Sequence, residues 1–109
     1  MANPRLQIVL TTCPDKDTAT RIASSLVNEG IAACVNILAA AQSVYLWKGT
    51  VETENEHVLL IKATADHYEA IQARIQALHP YELPEIIAVP IVAGLKEYLA
   101  WVENPREND

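Results

Sequence analysis

The feature that most constrains this chain is a pair of consecutive β-patterned arms, each too long for an ordinary small sheet. Ile31 to Leu38 is rich in strand formers, Ala39-Ala40-Ala41 is a weak link, and Ser43 to Trp47 alternates again before Lys48-Gly49 supplies a turn. The return arm starts with Val51 between polar neighbours, passes Glu52, Glu54 and Glu56, and ends in the apolar run Val58-Leu59-Leu60-Ile61. Each arm is roughly twice the mean strand of ~5–6 residues, and the first is predicted to bend or bulge at its alanines. A hairpin of that length must overhang a small domain. Its Tyr45, Leu46 and Trp47 would then leave apolar surface and unpaired backbone edges in water. Self-association is the expected remedy.

The flanking segments supply the rest of the fold. Arg5 to Cys13 reads as a mostly buried strand stopped by Pro14, after which Asp15 or Asp17 can cap a helix with Ala19, Ile22, Ala23, Leu26 and Val27 on one face. Gly30 ends that helix. Asp66 with Glu69 resembles a capping box for a second helix carrying Tyr68, Ile71, Ile75 and Leu78 on one face. Pro80 and Pro84 forbid helix, so residues 79–85 form an ordered loop. Ile86 to Ile91 is a last strand, with Pro90 marking a strand end or sheet edge. A short helix with Leu95, Tyr98, Leu99 and Val102 follows Gly94, and the polar tail from Glu103 is expected to fray.

The order strand, helix, strand, strand, helix, strand, helix is that of an α+β, ferredoxin-like βαββαβ fold, with an extended β-hairpin and an added C-terminal helix. The 109 residues suffice for one domain, taken as residues 1–109, because a second core could not be built from what remains. The core must rest on Ile, Val, Leu and Ala, since the chain has no Phe. Such a small core is another reason to expect association between copies.

Composition removes several classes of function. A net charge of −6 without any basic run would repel a polyanion, so nucleic acid is not expected as a partner. No apolar stretch approaches the ~20 residues of a membrane span, and the first residues lack a signal peptide's apolar centre; no membrane association and a cytoplasmic location are expected. There is no Gly-rich phosphate loop, no Gly-x-Ser-x-Gly elbow and no Cys-x-x-Cys. The chain is therefore read as a non-enzyme without catalytic residues or an organic cofactor.

Chemistry, if present, gathers at one end of the sheet. The end of the first strand, the start of the first helix, the hairpin and the 79–85 loop converge there in this topology, bringing Cys13, Asp15, His79, Tyr81, Glu82 and Glu85 together. Cys13, His79 and Glu85 could bind copper or another divalent cation, because thiol and imidazole suit borderline and soft ions. The plainer alternatives are a packed thiol and an imidazole interacting with a helix dipole. Glu52, Glu54 and Glu56 either gather hard cations or form a solvated face. Lys62 either meets an anionic ligand or lays its stem on the sheet. Trp47 and Trp101, with Tyr45, Tyr81 and Tyr98, are interface anchors or cleft walls. Cys34 falls at the opposite end from Cys13 and reads as a buried, unreactive thiol.

Taken together, Ala32-Ala33-Cys34-Val35-Asn36-Ile37, Ser43 to Gly49, Ile61-Lys62-Ala63-Thr64, His79 to Ile86 and Tyr98-Leu99-Ala100-Trp101 resemble the CutA divalent-cation-tolerance family. The Tyr-x-Trp-x-Gly and His-Pro-Tyr-x-x-Pro-Glu segments are its most specific marks, and the resemblance spans about residues 6–102. It implies a homotrimer in which hairpins extend sheets between subunits, and a role in tolerance to divalent cations, copper above all. It also implies similarity in shape to PII signalling trimers, hence the alternative of a regulatory module binding a small anionic metabolite between subunits. Some members of the family carry a cysteine metal ligand where this chain has Thr11; Cys13 lies two residues along on the same face, whereas His79 matches directly.

Overall fold

The structure, a computed structural model, describes residues 5–106; residues 1–4 and the last three residues of the tail discussed above lie outside the described residues. The first strand, β1, runs Leu6–Cys13, and Asp15 caps the helix α1 (Lys16–Asn28) by accepting from the Thr18 N–H at 2.8 Å. Gly30 has a φ of +76°, the left-handed conformation that ends such a helix. The long arms are β2 (Cys34–Trp47) and β3 (Thr50–Thr64). Lys48 and Gly49 both have positive φ between them, as a two-residue turn matched to strand twist requires. The bulge falls at the alanines: the ladder shifts between Leu38 and Ala41, and Ala40 takes a φ of 63°.

The capping box does not form. A 3-10 turn, Ala65–His67, intervenes before α2 (Tyr68–Leu78), and Asp66 accepts from Thr64 Oγ1 instead of capping the helix. The short aspartate finds a nearer donor in the strand end than in the next turn. β4 (Ile86–Pro90) ends at its proline, and α3 (Lys96–Glu103) buries only Val102 fully; Leu95, just before it, and Tyr98 are exposed. Nor does the described part of the tail fray. Arg106 Nη2 donates to the carbonyls of Val27 and Asn28, supplying the cationic cap that the last turn of α1 lacks.

The four strands form one antiparallel sheet in the order β2-β3-β1-β4, leaving β2 and β4 as edges. Alternation sends Val9, Cys13, Leu59, Ile61 and Ala63 toward α1 and α2, where they meet Ile22, Leu26, Ile71 and Ile75 in a core closed to solvent. Each such aliphatic side chain contributes ~1.5–3 kcal/mol by leaving water. On the opposite face, Ile8, Leu10 and Leu60 lie beside Ile87 and Val89, which stay 52% and 43% exposed. That second face is only partly covered. α3 covers its Lys62 end, where Lys62 Nζ lies 5.7 Å from the Tyr98 ring and Arg5 pairs with Glu103.

Candidate functional site

At the other end of the open face, where the hairpin leaves the domain, the sheet and the 79–87 segment enclose a cleft of about 960 Å³. Thr12 and Glu56 are at its base, Tyr45 and Trp47 on the hairpin side, and Tyr81 and Glu85 on the loop side. Glu82 also lines it, and among the described residues no Lys, Arg or His does. The cleft is acidic and aromatic-walled.

Its loop is tied down through His79. The residue follows the last turn of α2, its N–H bonded to the Ile75 carbonyl, and it is 8% exposed. Nε2 donates to the Thr12 carbonyl at 2.6 Å, while Nδ1 accepts from the Tyr81 N–H at 3.1 Å. Those two contacts define a neutral imidazole with its proton on Nε2. The Tyr81 ring sits against that imidazole, centroids 4.6 Å apart, and its hydroxyl donates to Glu56 Oε2 at 2.8 Å. Burial first, and then the Glu56 carboxylate that accepts its proton, push the Tyr81 phenol well above its ordinary value, so it remains a donor.

Glu56 is the surprise of the site. Its neighbours on the arm, Glu52 and Glu54, share its face, but Glu56 is 6% exposed and hydrogen-bonded instead of solvated. The alternation in the sequence could place it on that face. Only the return of a loop from twenty-five residues further on could bury it.

The residues singled out in the sequence divide into separate groups. Tyr81, Trp47 and Glu85 line the cleft, with His79 behind the loop. Cys13 points the other way, into the core beneath the helices, fully buried and directly across from His57. Its thiol is pushed up to about 11 by burial first, then by the Glu56 and Asp15 carboxylates. Lys62 and Trp101 stand at the far end of the sheet, Lys62 over Tyr98 and Trp101 stacked at 5.7 Å on the same ring. Cys34 opposes Lys62 there and is partly exposed. Among the described residues no three His, Cys, Asp or Glu side chains gather closely enough to hold a metal ion, so Cys13, His79 and Glu85 do not meet within one chain. No helix among them is long and apolar enough to cross a membrane.

Comparison with known proteins accounts for nearly the whole chain. A profile described as CutA1 divalent ion tolerance protein matches residues 7–105. The divalent-cation tolerance protein CutA of Thermus thermophilus is 45% identical over 102 residues, covering 94% of this chain and 96% of its own. A chloroplastic CutA 1 of Oryza sativa is 41% identical over 89% of this chain, which spans about half (55%) of that longer protein. Among solved structures, Cut A1 from Thermus thermophilus superposes with a TM-score of 0.88 at 44% identity, over 90% of this chain and 95% of the other. CutA from Xylella fastidiosa gives 0.87 at 48% identity, over 90% and 94%. With a profile that matches residues 7–105 and relatives 41–48% identical over about nine-tenths of its length, the chain belongs to the CutA1 divalent ion tolerance family.

Proposed function

We propose that this chain acts in divalent-cation tolerance as a homotrimer, and that the acidic cleft under the hairpin is where it holds a cation, weakly. The observation that carries the reading is Glu56, a carboxylate 6% exposed and turned into a cleft that no basic side chain lines. A buried negative charge with a single neutral donor favours a cation nearby. The carboxylates of Glu56, Glu82 and Glu85 surround the cleft instead of meeting at one point. An ion there keeps part of its water shell, and binding is correspondingly weak. Copper is the ion the family resemblance suggests first. Within one chain the donors that face the cleft are oxygens; the His79 nitrogens are both engaged, so a soft ion would need donors from a neighbouring copy. The alternative of a small anionic metabolite finds no counter-charge in the cleft, and Lys62 lies at the far end.

Association is supported by what one chain leaves uncovered. Both edge strands are unpaired, and Val44, Leu46 and Val51 on the hairpin are 64%, 70% and 68% exposed. Light scattering at micromolar concentration is expected to give three chains per particle, and Leu46→Glu with Val51→Glu to lower that number. Calorimetric titration with Cu(II), Zn(II) and Mn(II) tests the cleft: Glu85→Gln should weaken binding, and isotherms identical to wild type would remove the cleft from the account.

A further inference from the structure

The cleft under the hairpin is much larger than a metal ion needs. A divalent cation with six waters fills roughly 200 Å³, and the 960 Å³ here would hold it several times over. A volume of that order belongs to sites for small organic molecules. The lining is also richer than an ion can use. Tyr45, Trp47 and Tyr81 bring three aromatic rings, and Leu83 and Ile87 add aliphatic surface. A hydrated ion seeks oxygen ligands and gains little from either.

Three features narrow what fits. Glu56 is 6% exposed, and its one side-chain hydrogen bond among the described residues, from Tyr81, reaches only Oε2. Its other carboxylate oxygen is left for a donor that none of them supplies. Glu82 and Glu85 line the cleft as well, so the negative charge is spread around it and not gathered at one point. Trp47 already attracts an ammonium group of its own chain: Lys48 Nζ lies 5.6 Å from its ring centroid, although Lys48 does not line the cleft. Burial first, and then carboxylates that include Glu56, push the Tyr45 and Tyr81 phenols above their ordinary values, so both rings stay neutral beside the acids.

We propose that the cleft binds a linear aliphatic polyamine, its ammonium groups paired with Glu56, Glu82 and Glu85 and its methylene segments laid on the aromatic rings. The proposal rests on the reading of the cleft as a cation site and names an organic class of cation for it. Separated carboxylates suit a ligand in which charges alternate with short apolar runs. Aliphatic amines are cations at neutral pH, with a pKa near lysine's of about 10.4. Binding gives the open oxygen of Glu56 an N–H donor and covers rings that a single chain leaves exposed. An uncharged chain of equal length would cover the rings and leave Glu56 unsatisfied. Polyamine and divalent cation exclude each other, because both need the same carboxylates.

The test is calorimetric titration of the full chain with spermidine, diaminooctane and octanediol, three linear molecules of equal length, and separately with Mn(II). Spermidine is expected to bind once per chain, diaminooctane more weakly and octanediol not at all. Glu85→Gln should weaken spermidine binding about tenfold, as loss of a charged hydrogen bond does, and Trp47→Leu about threefold to tenfold. Trp47→Leu should leave Mn(II) binding unchanged, and Glu97→Gln on α3 should leave spermidine binding unchanged. Failure of spermidine to bind while Mn(II) binds would overturn the polyamine alone; failure of both would take the cation reading of the cleft with it. Wild-type spermidine affinity in both Glu85→Gln and Trp47→Leu would assign binding to the general acidity of the surface and also overturn the proposal. Because Trp47 is on the hairpin and its replacement can disturb association, NMR of the wild-type protein gives a second reading. Nuclear Overhauser contacts from spermidine methylenes to the Trp47 and Tyr81 rings are expected, and their absence from the bound state would overturn it too.

Discussion

The lower and upper halves of the β2–β3 ladder share one backbone pattern and end in opposite surroundings. Near the base, Leu59, Ile61 and Ala63 are 0%, 0% and 1% exposed beneath the helices, while on the overhang Val44, Leu46 and Val51 are 64–70% exposed. Both halves alternate, and both are paired residue by residue through the same register either side of the bulge. Alternation decides which side chains share a face. What lies on that face decides whether sharing it stabilises the chain. At the joint, Glu56 is covered neither by a helix nor by solvent but by Tyr81, which ties the loop to the hairpin's root.

The comparison can be broken most directly with paired truncations. Ile61→Ala in the covered half should cost about 2–5 kcal/mol in urea unfolding, from lost burial plus a cavity. Leu46→Ala in the overhang should stay within ~0.5 kcal/mol for the dissociated chain and weaken association in light scattering instead. Equal losses in dilute solution would mean that the overhang is packed within one chain. The joint is sharpened by Tyr81→Phe, which strips a buried carboxylate of its donor. It is expected to destabilise by about 1–3 kcal/mol and to speed amide exchange at residues 79–85.

Gly30→Ala should cost about 1–2 kcal/mol by denaturation, because a side chain is strained at a φ of +76° and its Cβ would lie 3.3 Å from Arg106 Nε. The smallest effect is that of Asp15→Ala, read as its dependence on pH. The Thr18 N–H holds the Asp15 carboxyl below its ordinary value of 3.8, so the ionised form favours the fold. That stabilisation is complete above 3.8 and is lost as pH falls through the lower folded value. The variant should be less stable than wild type at neutral pH, and the two should converge in strong acid. A constant difference across that range would remove the cap as its cause.

Much of this was legible in the residues themselves. The element order, the bulge at Ala39 to Ala41, the Lys48-Gly49 turn and the Asp15 cap follow from local steric and hydrogen-bonding preferences that act within a few residues. The failures were local signals outcompeted by nearby or distant partners: Asp66 is taken by Thr64, and the tail is held by the carbonyls at the end of α1. At the candidate site, Tyr81 and Trp47 read in the sequence as interface anchors or cleft walls, and both line the cleft, while Glu56 reads as one more solvated acid and nothing marks His57. Neither could have been found without register, since Cys13 and His57 are 44 positions apart in the chain and adjacent only in the sheet.

The sequence by itself determined which segments are strands and helices, how the strands alternate, and that a long hairpin must project, because those depend on backbone sterics and on the period of apolar residues. Tertiary structure alone decided that a carboxylate is buried at the hairpin's root, that a thiol faces an imidazole across two strands, and that Lys62 stands far from the cleft. Those outcomes are matters of burial and of opposing pairs, which are fixed only when distant segments of the chain are laid side by side.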